Sequence, residues 1–126
     1  MDLGSIGQVG MTVEDLDACV EFYRDRLGLR LIARAAPGLA FFDCDGVRLM
    51  LSAAQSGTPS GNSVLYFTVE AIQGCCAELT ERGVAVGNGP VLVHSAADYE
   101  LWMAFFEDPS GNTVAVMEER GEYRGQ

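Results

Sequence analysis

The sequence predicts an α+β domain built from two β-α-β-β-β modules in tandem, and three observations carry that expectation. First, an alternating segment at 8–14 ends in Thr12, Val13 and Glu14, and a second at 64–70 ends in Thr68, Val69 and Glu70. Second, each is followed by apolar residues at helical spacing and then by a glycine, Gly28 in one copy and Gly83 in the other. Third, the aromatic pair and turn formed by Phe41, Phe42, Asp45 and Gly46 are echoed by Phe105, Phe106, Ser110 and Gly111. A unit that recurs with the same internal order is a structural repeat, and each copy is then read as one supersecondary unit.

Taken in order, the first alternating segment reads as a strand because side chains two apart share a face. Leu16, Val20, Tyr23 and Leu27 then fall on one side of a helix close to 16–27, as Ile72, Cys76 and Leu79 do on a helix close to 72–82. Asp15 can accept from the first turn of its helix, whereas Ala71 at the matching position has no side-chain acceptor. Gly28 and Gly83 supply the left-handed residue that ends many helices. Three strands complete each copy, among them 47–52 and 113–117, joined by the Asp-Gly and Ser-Gly turn signals. The segment 55–62, rich in Gly, Ser, Pro and Thr, reads as the linker. The expected domain spans 1–126, with modules near 5–54 and 63–119, a tail at 120–126, and two half-sheets that enclose a cavity.

Alternation also sorts the strand side chains. Val9, Met11 and Val13 make an apolar face for the helix and leave Gln8, Gly10 and Thr12 on the other; Leu49 and Leu51 leave Arg48, Met50 and Ser52. In the second copy Leu65, Phe67 and Val69 leave Val64, Tyr66 and Thr68, and Val114 and Val116 leave Thr113, Ala115 and Met117. An inner face that mixes apolar groups with a few polar ones suits a small-molecule ligand; the alternative is a face that is solvated or paired with another subunit.

Composition narrows the partners. The 126 residues are 48% hydrophobic and 21% charged, ordinary for one soluble domain, and carry a formal charge of −10. That field repels nucleic-acid phosphates and anionic lipid, and the eight Lys and Arg form no basic patch against it, so neither partner is expected. No apolar run approaches the ~20 residues of a membrane span, and the first residues lack a signal-peptide pattern, so a cytoplasmic location is expected. The four cysteines include no C-x-x-C pair and read as reduced thiols packed as small hydrophobes.

With Val13, Glu14, Asp15 and Leu16, then Phe22, Tyr23, Arg24 and Asp25, then Leu27, Gly28 and Leu29 in the first module, and Glu107, Asp108, Pro109, Ser110, Gly111 and Asn112 in the second, the chain resembles the vicinal-oxygen-chelate superfamily over about residues 6–119. This is the fold of glyoxalases, bleomycin-resistance proteins and extradiol dioxygenases. The resemblance implies four inward strand positions that hold a divalent metal in the family's metalloenzymes, here Gln8, Met50, Val64 and Ala115. Of these only Gln8 offers an oxygen donor, and a one-residue slip in register rescues nothing, so no metal and no cofactor are expected. The resemblance also implies a homodimer.

The expected function is that of a metal-free small-molecule-binding protein, sequestering an aromatic or antibiotic-like ligand against Gln8, Arg48, Met50, Val64, Tyr66, His94, Trp102 and Ala115. Arg48 could pair with a ligand carboxylate or phosphate, and Trp102 could stack on a flat ligand, although an aromatic run such as 99–106 is more often core. His94, the only histidine, falls in the segment 90–99, read as a loop containing Ser and Asp. Two other classes stay open. One is a lyase, isomerase or dioxygenase with a non-standard site, for which Gln8, His94 and Glu118 are the available donors, with Glu118 and Glu119 otherwise a hydrated pair. The other is a ligand-free interaction module filled by Met50, Tyr66, Trp102 and Met117.

Overall fold

The computed structural model describes residues 1–54, 63–87 and 89–121, so the expected linker at 55–62 and the end of the tail lie outside the described residues. Strand, helix and three strands follow one another twice. The first copy is β1 (Gln8–Val13), α1 (Leu16–Glu21), a π-helical turn (Phe22–Arg26), β2 (Arg30–Ala35), β3 (Leu39–Cys44) and β4 (Val47–Ala53); the second is β5 (Leu65–Thr68), α2 (Ile72–Glu81), β6 (Val91–Ala96), β7 (Tyr99–Glu107) and β8 (Thr113–Gly121). The sheets have the orders β1-β4-β3-β2 and β5-β8-β7-β6. In each, the first strand pairs in parallel with the last and the remaining contacts are antiparallel, so the α+β class and the duplicated module are both present. The chain divides into two compact units, one of Met1–Ser63 with Asp108–Asn112, the other of Val64–Glu107 with Thr113–Gln126.

In the first unit the core lies between the helix and one face of the sheet, where Met11, Val13, Leu49, Leu51, Ala40 and Phe42 meet Cys19, Val20, Phe22 and Tyr23, all buried. Asp15 caps α1 as its position predicted, accepting from the Ala18 N–H at 3.0 Å. The regular helix is shorter than the expected 16–27, because the Leu27 N–H reaches back five residues to the Phe22 carbonyl at 3.1 Å. That wider turn lets Phe22 and Tyr23, neighbours in sequence, both point inward, their rings edge to face with centroids 5.3 Å apart. The Asp45-Gly46 signal forms the β3-β4 turn with both residues at positive φ, 55° and 97°, the pairing a type I′ hairpin requires.

The turn at 108–112 is the polar counterpart of this core. Both Asp108 oxygens are used: Oδ1 accepts from the Ser110 and Asn112 N–H groups, each at 2.9 Å, and Oδ2 from the Asn112 amide at 3.0 Å and the Tyr23 hydroxyl at 2.9 Å. Ser110 Oγ in turn accepts from the Glu14 N–H at 2.9 Å and lies 3.3 Å from Cys19 Sγ. Burial, and then the Asp108 carboxylate beside it, push the Tyr23 phenol well above its usual pKa, so it stays protonated and donating. Burial likewise raises the Cys19 thiol, and all four cysteines are free.

The second unit solves its missing cap differently. Ala71 offers no side-chain acceptor, and the Ile72 N–H instead donates to Glu118 Oε1 at 2.8 Å, an oxygen delivered from β8. Arg120 Nε holds the other oxygen at 2.7 Å. The Arg120 bond first, and the Ile72 N–H second, hold this carboxyl below the usual carboxylate range. A depressed folded-state pKa makes the contribution present above the unfolded value and lost as pH falls through the folded one. Glu118→Gln should therefore melt lower than the parent near neutrality, and the gap should close on acidification below the ordinary carboxylate pKa. Thermal melts from neutral to acidic pH check this; a gap that persists in acid removes the cap.

Candidate functional site

Each sheet has one face on its helix and one face turned away from it, and the register decides which side chains share the second. In the first unit Gln8 pairs with Arg48 and Arg48 with Asp43, while Gly10 pairs with Met50 and Met50 with Phe41. These residues share the face away from α1, since the buried Leu49, Leu51 and Phe42 occupy the other. Gln8 joins the rows: its Oε1 accepts from Arg48 Nε at 2.6 Å, and its Nε2 lies 3.7 Å from the Met50 sulfur. The Arg48 guanidinium sits over the Phe41 ring, 5.6 Å from the centroid. Gly10 leaves room for Met50, whose Cε would lie 3.3 Å from any Cβ placed there. Phe41 was not among the expected site residues, although its alternation with the buried Phe42 is the signal that places it.

In the second unit the matching face carries Tyr66, Ala115 and Phe105 in one row and Thr68, Met117 and Met103 in the next. Tyr66 and Phe105 are 49% and 40% exposed, with rings edge to face and centroids 6.3 Å apart, whereas Ala115 between them is 0% exposed. An open aromatic pair floored by a buried methyl is a surface on which a flat apolar molecule gains contact. Val64, just ahead of β5, is 41% exposed.

Two expected site residues stand elsewhere. Trp102 pairs in register with Leu92 and Glu118, on the face that carries Ala104, Phe106 and α2, so the fold does not bring it together with Tyr66 and Ala115. Its indole N–H donates to Glu100 at 3.0 Å, and the Arg120 guanidinium lies 5.0 Å from its ring centroid. The exposed aromatic pair on the face away from α2 is Tyr66 and Phe105. His94 lies in strand β6 rather than in a loop, because Val91, Leu92 and Val93 ahead of it are β-formers that pair with β7. A register shift between Leu92 and His94 sets it opposite Leu101, with its ring 6.1 Å from that of Tyr99. Glu118 and Glu119 are not a hydrated pair: the first caps α2 and the second accepts from the Tyr99 hydroxyl at 2.7 Å.

The donor chemistry can be compared with a divalent metal's needs. Of Gln8, Met50, Val64 and Ala115, only Gln8 has an oxygen, and that oxygen already accepts from a cationic guanidinium. Among the described residues no group of three or more His, Cys, Asp or Glu could hold a metal ion. These side chains do not fit the metal that the superfamily's enzymes use.

A family model described as the Glyoxalase/Bleomycin resistance protein/Dioxygenase superfamily matches residues 5–116. The chain is 26% identical over 123 residues to the uncharacterized protein YraH of Bacillus subtilis (strain 168), covering 86% of this chain and 94% of that one. Among solved structures it is similar to TnmS3, an antibiotic binding protein from Streptomyces sp. CB03234, at 26% identity and TM-score 0.75 over 94% of this chain and 98% of that one. A lactoylglutathione lyase from Agrobacterium tumefaciens shares the fold at 21% identity and TM-score 0.73, over 93% and 95% of the two chains.

Proposed function

The chain belongs to the glyoxalase/bleomycin resistance protein/dioxygenase superfamily, and from that premise we propose that it binds a small, partly aromatic molecule without a resident divalent metal. The observation that carries this reading is the 2.6 Å bond from Arg48 to Gln8, which commits the one oxygen donor at the four family positions to a guanidinium. What favours a flat ligand is the open pair of Tyr66 and Phe105, and the likeness to an antibiotic binding protein points the same way. The two donors that a reaction would draw on are not brought together: Glu118 is held by Ile72 and Arg120 on the helix-bearing face, while the strand register sets His94 on the opposite face with Leu101. Sequestration is therefore the proposed role, in a cytoplasmic homodimer whose association state sedimentation would measure. Among the described residues no helix is long and apolar enough to cross a membrane.

Two measurements test the proposal. The protein as purified should carry no stoichiometric transition metal, and its melting temperature should be the same with and without chelator. A ligand of the native state stabilises it by about 2.7 kcal/mol at a hundredfold excess over Kd, so a working metal site would be visible in such a melt. One metal per chain, lost to chelator with a fall in melting temperature, reverses the proposal. Titration of aromatic antibiotics and metabolites by calorimetry should find at least one that binds saturably.

A further inference from the structure

We infer that the bound molecule is a monoanion, a flat apolar body bearing one carboxylate, and that Arg48 is the residue that selects it. This rests on the binding function proposed above and names the class of molecule. Arg48 is held on two sides. Gln8 accepts from its Nε at 2.6 Å, and Phe41 lies under its guanidinium at 5.6 Å. Fixing Nε in this way orients the plane of the fork, and the two terminal nitrogens remain the edge able to donate in parallel to a carboxylate. The stacked ring limits the freedom such a contact would otherwise cost.

Charge in the same row of the sheet sets the valence. Arg30, Asp43, Arg48 and Gln8 are successive neighbours across β2, β3, β4 and β1, and Arg30 reaches the Asp43 carboxylate at 3.5 Å. Two guanidiniums and one carboxylate leave that row with a single positive charge, on a chain whose formal charge is −10. A monoanion is matched by such a row, while a dianion such as a phosphate monoester would meet the Asp43 carboxylate and the field of the whole chain. The neighbouring row, Met50, Phe41 and Gly10, is apolar and begins one residue pair away, so the anion and the hydrocarbon of one small molecule can be contacted together. Met50 is unbranched and adapts its shape to the body it covers.

The test uses matched probes on the intact protein: 2-naphthoate, its neutral amide 2-naphthamide, 2-naphthyl phosphate and 2-naphthylmethylammonium, each titrated by calorimetry. Wild type should bind naphthoate about ten- to a hundredfold more tightly than naphthamide, the range expected for a charge-assisted hydrogen-bonded pair. Arg48→Met, at an exposed strand position, should keep the wild-type melting temperature while bringing naphthoate and naphthamide to equal affinity. Arg48→Lys should recover part of it, because the charge returns without the planar fork. Equal binding of naphthoate and naphthamide by wild type, a preference that survives in Arg48→Met, or phosphate binding tighter than carboxylate each overturns the inference. Saturable binding of the amide or the ammonium alone overturns it while leaving metal-free binding intact. If no probe and no member of the wider aromatic panel binds, the proposed function fails and the inference with it.

Discussion

Asp108→Ala should lower the stability of the chain by about 3 kcal/mol, because it removes four hydrogen bonds from a buried turn and leaves their donors without an acceptor. The Ser110 and Asn112 N–H groups, the Asn112 amide and the Tyr23 hydroxyl all converge on this carboxylate, which is 5% exposed. A buried donor stripped of its partner costs about 1–3 kcal/mol, partly relieved where water enters, so the sum falls well short of four independent losses. Tyr23→Phe should cost only about 1 kcal/mol, since the other three donors still satisfy Asp108. Ser110→Ala should be milder than Asp108→Ala, as it leaves the carboxylate cluster whole and removes a hydroxyl that accepts from the Glu14 and Asp15 N–H groups and touches Cys19 Sγ. Urea titrations of the three variants measure the order. An Asp108→Ala protein within about 0.5 kcal/mol of wild type, the range of an ordinary surface change, would show that the turn at 108–112 is not what secures α1 and Tyr23.

Much of the fold is legible in the chain because its cues are local. Thr12-Val13-Glu14 and its copy at 68–70 mark the ends of β1 and β5, Asp15 and the glycines at 28 and 83 bound the helices, and Asp45-Gly46 sets the β3-β4 turn. Features that depend on which strand lies beside which were harder to see. Gln8 and Arg48 are forty residues apart and meet only because β1 pairs in parallel with β4, a topology that alternation alone does not dictate. Glu118 looks like a hydrated acid until α2 is placed over β8, where the lack of a capping side chain at Ala71 makes its carboxylate the first-turn acceptor. The π turn at Phe22–Arg26 is hidden because apolar spacing there fits an ordinary helix equally well.

The face of Trp102, by contrast, follows from alternation within β7. Counting by twos back from the buried Phe106 through Ala104 reaches Trp102, and the same count from Phe105 reaches Met103 and Leu101 on the opposite face. The aromatic run 99–106 is therefore divided between the two faces of one strand. The alternation that places Arg48 and Met50 correctly would have separated Trp102 from Tyr66.

That separation makes Ala115 the informative position in the second sheet, and Ala115→Phe should both destabilise the protein and abolish aromatic binding there. Ala115 lies between Tyr66 and Phe105 in register and is 0% exposed, so no free space is left over its methyl group. A benzyl group at that point has to displace one or both rings or shift the backbone of β8, and overpacking of this kind costs about 1–3 kcal/mol. The displaced rings would also lose the edge-to-face arrangement with centroids 6.3 Å apart, and with it the flat surface proposed for the ligand. Tyr66→Leu separates the two effects, because Tyr66 is half exposed and its loss should leave the melting temperature near that of wild type. If the pair forms a stacking surface in the second unit, Tyr66→Leu weakens by up to about tenfold the binding of whichever member of the aromatic panel it holds, the equivalent of the 0.5–1.5 kcal/mol an aromatic pair contributes beyond area burial. Ala115→Phe should weaken it further, with a lower melting temperature as its signature. An Ala115→Phe protein that melts like wild type and binds every ligand found in the aromatic panel unchanged would mean that no ligand rests on Tyr66 and Phe105.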